Sequence, residues 1–392
     1  MPGIFIVAAK RTPFGSFGGS LKSMTPTQLG VVAAKAALAQ GTVDPSIVDA
    51  SIWGNINPSA PDAAYVSRHI ALKSGCHETI TALTLNRACG SGFESVIQGF
   101  NSIKIGDARV SLCGGTENMS MAPLQIDGND VRWGLPLGKG LTVRDGLWSG
   151  LNDDYIQLSM GMTAENLADK YGISRQECDE FALRSQQRWK AAKDAGLFDA
   201  EMANIELQTH KGTQVLDSDE HPRPEVTLEK LSKLRPVFKK DGVVTAANAS
   251  GICDGAGAII LASEEVVKEH NLKPLARVVS YGITGCDPNI MGIGPVGAIR
   301  KALERASLSL DDMDRVEINE AFAAQFISCA TELQLDMEKA NINGGAISLG
   351  HPTGASGIFT LCCIVFTAFL FLISLPFVSI SSSLPNCIEF IH

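Results

Sequence analysis

The chain has 392 residues, 45% of them hydrophobic and 19% charged, with 38 glycines and few aromatics. That composition excludes a disordered chain and suits packed α/β domains, two or one duplicated. A net charge of −9 offers no field for a polyanion, so no nucleic-acid partner is expected, and ten cysteines without paired spacing read as reduced intracellular thiols.

No Arg-rich presequence or signal peptide opens the chain. Ile4 to Ala9 predicts a buried strand, ended by Lys10-Arg11-Thr12-Pro13. Thr25-Pro26 opens an Ala-rich helix to about Gln40, with Gly41 as its stop. Ile52 and Trp53 belong to the next strand, which Gly54-Asn55 closes. Ile80, Ala82, Leu83 and Leu85 predict another, and Phe93, Val96, Ile97 and Phe100 a helix after it. From Met121 to Thr245 the chain is more polar. Within that stretch Ser174 and Glu177 form a capping box, Gly196 supplies a stop, and Cys178, Phe181, Ala182, Ser185, Trp189 and Ala192 share one helical face. The charged, Pro-bearing run from Asp217 to Arg235 predicts an exposed loop. Ala246 to Gly251 and Asp254 to Gly257 read as small-residue turns, suited to close packing or to a pantetheine-like thread.

A shift of 265 positions superimposes two parts of the chain. Val31, Ala33, Ala37, Leu38 and Asp49 fall on Val296, Ala298, Ala302, Leu303 and Asp314, and Ser91-Gly92 on Ser356-Gly357. We read two βα-type halves of one ancestry separated by an insert.

Three places suit chemistry. Cys89, in Asn86-Arg87-Ala88-Cys89-Gly90-Ser91-Gly92, stands at a strand-to-helix turn, where the helix dipole favours a thiolate and flanking glycines let N–H groups meet an oxyanion. The plain alternative is a buried structural Cys. His351 follows Asn343 to Gly350, read as a strand and a Gly-rich turn, and lies at the turn that matches Cys89 in the other half. It is either a base or oxyanion donor, or an ordinary buried imidazole. Asn319 follows a strand, Val316 to Ile318, and either holds a water at the sheet's carboxyl edge or caps the next helix. No metal spacing, dinucleotide fingerprint or phosphate loop is present.

The C-terminal stretch differs from the rest. No Asp, Glu, Lys or Arg occurs from Ala340 to Pro385, and Ile358 to Leu375 is apolar enough to suggest a transmembrane helix at the lower limit of length, extended by Pro376 to Val378. The same residue types would arise from reading T-rich non-coding sequence across a splice donor at Gly357.

Together these residues resemble the thiolases, and among them the 3-ketoacyl-CoA thiolases of mitochondrial fatty acid β-oxidation. The carriers are Val7 to Gly15, the Cys89 turn, Leu112 to Glu117, Asn319-Glu320-Ala321-Phe322 and Gly350-His351-Pro352. The resemblance implies an α/β fold of two similar halves in α-β-α-β-α layers, here residues 1–120 and 246–357 with the second incomplete, a loop domain at 121–245, and a non-family tail at 358–392. It implies an acetyl-CoA acyltransferase that cleaves 3-ketoacyl-CoA with CoA as cosubstrate and no permanently bound cofactor, in a mitochondrial homodimer or tetramer. Cys89 would be the nucleophile, His351 its activator, and Asn319 the holder of a water beside the enolate. Arg223, Val226 and Ser250 would contact CoA, Val226 standing where mitochondrial members have Thr. Family members carry a second catalytic Cys whose expected place is Ser381, about 30 residues past His351, and a Ser hydroxyl is too weak an acid for that proton transfer. The loss of the closing helix and strand predicts an exposed sheet edge, poor solubility and impaired turnover. An inactive CoA-binding subunit, a membrane-tethered one, and a biosynthetic acetoacetyl-CoA thiolase are the other readings.

Overall fold

A computed structural model describes residues 3–209, 212–373 and 387–390. Its centre is one mixed sheet built from β1 (Ile4–Arg11), β2 (Gly15–Ser16), β3 (Ala50–Gly54), β4 (Thr81–Leu85), β5 (Val110–Asn118), β6 (Cys253–Ser263), β7 (Ala276–Tyr281) and β8 (Cys387–Phe390). The order is β8-β7-β1-β6-β5-β3-β4, with β2 beside β6. β6 pairs antiparallel with both β1 and β5, whereas β3 runs parallel to β5 and to β4. All nine residues of β5 are buried, as expected for a strand covered on both faces.

The helices α1 (Pro26–Gly41), α2 (Ser91–Ile105), α4 (Gly294–Ala306) and α7 (Ser356–Ile373) lie on the sheet, as does the short helix Val66–Lys73 beside β3 and β4, whereas α3 (Arg175–Asp194), α5 (Ala323–Leu333) and α6 (Ala346–Leu349) pack together around a second core. The expected capping box starts α3, and its six predicted apolar-face residues are all buried. α1 runs one residue past expectation, because Thr42 takes the left-handed conformation and Gly41 stays helical, close against Ala8. The 265-residue shift carries the end of α1 onto the end of α4, and Ser91, which opens α2, onto Ser356, which opens α7. At that matched point the two helices cross without side chains between them: a Cβ on Gly92 would lie 2.8 Å from the Ile358 nitrogen, and one on Gly357 2.5 Å from the Phe93 nitrogen.

Several sequence expectations fail. Val316 to Ile318 makes a single parallel bridge, Val316 to Ala340, rather than a strand. Asn343 to Leu349 contains α6, not a strand, because Glu320 accepts the Ile347 N–H and turns the chain into a helix. Asp254 to Gly257 lies inside β6, with Gly255 under the Phe14 ring and Gly257 under Ile358. The segment Asp217 to Arg235 is not simply exposed. Asp219 is buried on Arg11, and Leu231 is buried in a short helix, Leu228–Ser232.

The described start of the apolar run after Gly357 is built into the protein core. Among the described residues no helix is long and apolar enough to cross a bilayer. Instead Ile358, Leu361, Cys362, Val365 and Phe366 of α7 pack against β1, β6 and α2, while Phe359 and Cys363 join Phe14 and Phe198. From Ile358 to Phe366 the helix is apolar because sheet and helices surround it. Nor is β7 left as an edge, since β8 pairs with it in parallel from Arg277↔Cys387 to Tyr281↔Phe390. Residues 374–378 of the apolar run, and Ser381, lie outside the described residues.

One buried ion cluster ties the insert to this sheet. Arg11 donates to Glu201 at 2.6 Å and to Asp219 at 2.7 and 3.1 Å, under the rings of Phe14, Phe198 and Phe359. Burial pushes the Glu201 carboxyl up to about 7 despite the Arg11 charge, so the cluster depends on its geometry. Arg11→Met leaves two buried carboxylates unpaired and is expected to cost about 3–5 kcal/mol of unfolding free energy in urea titration at pH 8. A loss under 1 kcal/mol would show that water or the rings carry these charges.

Candidate active site

Cys89 is placed by a tight turn between β4 and α2. The Ser91 hydroxyl accepts the Arg87 N–H at 2.8 Å and donates to the Ala88 carbonyl at 2.7 Å. Ala88 is held at φ 45°, a conformation that a non-glycine residue adopts only under constraint. Gly54, at the end of β3, lets this turn sit on the sheet, because a Cβ there would lie 2.5 Å from that of Ser91. The expected lowering of the thiol pKa by the helix start is not what wins. Burial pushes Cys89 up to about 11, against a hydrogen bond from its own N–H and with a further rise from the Glu117 charge. The resting thiol is protonated and needs a base.

His351, which lines a cavity with Cys89, is the candidate for that base. It is buried, and burial pushes its pKa down to about 4, so the ring is neutral at neutral pH. Its Nδ1 lies 2.6 Å from the Ser356 hydroxyl, which also reaches the Pro352 carbonyl at 3.1 Å, and its Nε2 lies 3.3 Å from Asn319 Nδ2. The Asn319 Nδ2 group can only donate, which assigns the Nε2 lone pair to that contact. The proton is then on Nδ1, donated to Ser356, and the serine proton goes to Pro352. The basic nitrogen is the one beside Asn319. Asn319 does not cap the next helix, since α5 starts only at Ala323.

A two-lobed cavity meets at Cys89. One lobe, of about 160 Å³, is lined by Cys89, His351, Ser250, Trp148 and Phe238. The other, of about 300 Å³, is lined by Cys89, Asn319, Phe93, Met160, Cys286 and Gln325 and is mostly apolar. Ser250 is fixed there by its N–H on the Ala321 carbonyl at 2.9 Å. Arg223 and Val226 line neither lobe. The Arg223 guanidinium folds back onto the carbonyls of Glu220, His221 and Pro222, and Val226 packs against the core under α3 and α5.

Three residues to which sequence patterns assign no role at the site belong to this region. Ser356 sets the His351 tautomer, whereas the 265-residue shift marks it only as a helix start. Cys286 is exposed and lines the larger lobe, with nothing in the sequence to mark it. Glu117 is buried, and burial pushes its carboxyl up to about 7 although it accepts several hydrogen bonds. No group of metal-ligating side chains occurs among the described residues.

Comparison with known proteins follows the same lines. The sequence matches the thiolase N-terminal domain over residues 4–265 and the thiolase C-terminal domain over residues 272–368. It is 58% identical over 355 residues to the human protein called 3-ketoacyl-CoA thiolase, mitochondrial, covering 91% of this chain and 89% of that one. It is 45% identical over 358 residues to a probable acetyl-CoA acyltransferase of Staphylococcus aureus, covering 91% and 90%. The crystal structure of human mitochondrial 3-ketoacyl-CoA thiolase in complex with CoA superimposes with a TM-score of 0.92 at 55% identity, over 94% of this chain and 92% of that one. The acetyl-CoA acetyltransferase of Bacillus anthracis gives 0.91 at 43% identity, over 95% and 93%.

The buried neutral imidazole has a thermodynamic signature. An unfolded His binds its proton near pH 6.5, whereas folded His351 binds it only near pH 4. Between those values the unfolded state holds more protons, so stability rises with pH and levels off above 6.5. Urea midpoints at pH 5 and pH 7 should differ more in the wild type than in His351→Asn, and equal differences would mean that His351 titrates normally.

Proposed function

The chain belongs to the thiolase family, and we propose that it catalyses the thiolysis of 3-ketoacyl-CoA through Cys89, His351 and Asn319. The observation that carries this reading is the meeting of the two lobes at one cysteine, with a neutral imidazole in one and an amide in the other. His351 Nε2 takes the Cys89 proton, and the sulfur attacks the 3-keto carbon. The bond between C2 and C3 then breaks, leaving the shortened acyl group on Cys89 and an enolate of acetyl-CoA. Asn319, beside Nε2, holds the water that with His351 stabilises the enolate oxygen. The thiol of a second CoA finally takes the acyl group. The larger apolar lobe suits the acyl chain, and the lobe with Ser250 suits the pantetheine arm, with Arg223 and Val226 towards the rest of CoA.

The relatives named mitochondrial support a mitochondrial place in fatty acid β-oxidation. The second proton-transfer group is where the machinery of this chain departs from the family pattern, because Ser381 stands at its expected position. Acylation of Cys89 is therefore proposed to outrun transfer to CoA, and the inactive subunit is the limiting case. We propose a homodimer or tetramer as well. Thr81 to Leu83 leaves the outer edge of β4 uncharged and exposed, and a hairpin in the insert (Leu124–Ile126 with Val143–Asp145) and the loop between its strands expose Leu124, Val143, Trp133 and Leu137.

Purified protein mixed with S-phenyl thioacetate, whose thiolate leaves without needing a proton, tests the first half-reaction. Mass spectrometry should find the acetyl group on Cys89 and not on the more exposed Cys286. His351→Ala should slow the transfer about 10²–10⁴-fold. Acetylation of Cys286 first, or at equal rates in His351→Ala, would contradict the assignment. Ultracentrifugation should give a multiple of the chain mass, and a monomer at micromolar concentration would remove the oligomer from the proposal.

A further inference from the structure

Glu117, at the end of β5, has no part in the chemistry just described, yet it is wholly buried beside it. Its carboxylate collects donors from two places far apart in the chain. From the segment after β3 it accepts the Ile56 N–H at 3.1 Å, the Asn57 N–H at 3.0 Å and Asn55 Nδ2 at 3.3 Å. From the turn after His351 it accepts the Thr353 hydroxyl and the Gly354 N–H, each at 3.1 Å. The backbone has been cleared for this contact, since a Cβ on Gly354 would lie 3.0 Å from Glu117 Oε2. None of the five donors is the Cys89 thiol or the His351 ring.

A neutral amide could not accept all five, so the arrangement is built for a carboxylate. At pH 8, above the value of about 7 to which burial pushes it, Glu117 is an ion with five donors and no cationic partner among the described residues, a poor choice for stability alone because its desolvation opposes burial. Once ionised, its negative charge also pushes the Cys89 thiol up, by less than burial does. The other charged or titratable groups near that thiol offer little to offset it: Arg87 is paired with Glu94 at 2.7 Å, and His351 is neutral.

Resting on the assignment of Cys89 and His351 above, we infer that Glu117 is a positioning residue whose buried carboxylate clamps the His351 turn to the nucleophile half and opposes a second negative charge beside it. The clamp brings the base within reach. The charge suppresses the free thiolate, so that the nucleophile forms only when His351 takes its proton towards a bound thioester. The two effects make opposite predictions for two reagents. Iodoacetamide reads the thiolate, whereas acetyl transfer from S-phenyl thioacetate, in which the new S–C bond forms, thiophenolate leaves and His351 holds the proton, reads the base.

Both rates are measured by mass spectrometry on the full chain at pH 8, with exposed Cys286 as the internal reference for alkylation and buried Cys113 and Cys178 as reporters of folding. Glu117→Gln should alkylate Cys89 at least threefold faster and acetylate it at least tenfold slower. Glu117→Asp, which keeps the charge but shortens the reach, should alkylate within twofold of the wild type and still acetylate at least tenfold slower. A role in stability alone would move both rates together or expose Cys113 and Cys178. Both rates of Glu117→Gln within twofold of wild type, both falling together, or unfolding of both variants would overturn the inference. If Cys89 of the wild type takes no acetyl group, the catalytic assignment itself fails, while the alkylation comparison still decides whether Glu117 acts on the thiol.

Discussion

The contact on which the rest of the site depends is the crossing of α2 and α7 at Gly92 and Gly357. Each helix starts one residue earlier, and each follows a turn that carries a reactive side chain. With no Cβ on either residue, the helix starts approach until backbone touches backbone. Cys89 and His351, which come from opposite halves of a duplicated chain, are thereby delivered to one cavity. Gly54 and Gly354 extend the same logic, letting the two turns lie directly on the ends of β3 and β5. These four glycines set where the proposed nucleophile and base meet.

Electrostatics then assigns the protons. Burial raises the thiol and lowers the imidazole, so both are neutral at rest. Such a pair differs from a preformed thiolate–imidazolium pair in being inert until a polarised carbonyl arrives. Sequence alone would make Cys89 a standing thiolate at a helix start, but burial outweighs the backbone hydrogen bond that favours the thiolate there.

Much of this was legible from residue patterns. The 265-residue shift marks Ser91 and Ser356 as equivalent helix starts from the amino-acid order alone, because duplicated packing keeps duplicated glycines. Short-range signals such as the box at Ser174 and Glu177 were equally reliable. What failed was long-range. Asp254 to Gly257 looked like a turn, since nothing local reveals that Phe14 and Ile358 press on its glycines. Asp219 looked solvated, because Arg11 lies more than two hundred residues away. Ile358 to Leu375 looked like a membrane segment, because side chains enclosed by sheet and helices, as those of Ile358 to Phe366 are, have the same composition as side chains enclosed by lipid.

The most direct test of the glycine crossing is the rate of Cys89 acetylation in Gly357→Ala. Alanine favours a helix over glycine by roughly 0.5–1 kcal/mol, so local propensity alone predicts no harm. The added methyl group, however, meets the Phe93 backbone at 2.5 Å and must push α7, and His351 with it, away from α2. Acetylation should then be at least tenfold slower than in the wild type, with Cys113 and Cys178 still shielded from iodoacetamide. A rate within twofold of wild type would show that the two turns find each other without the glycine crossing.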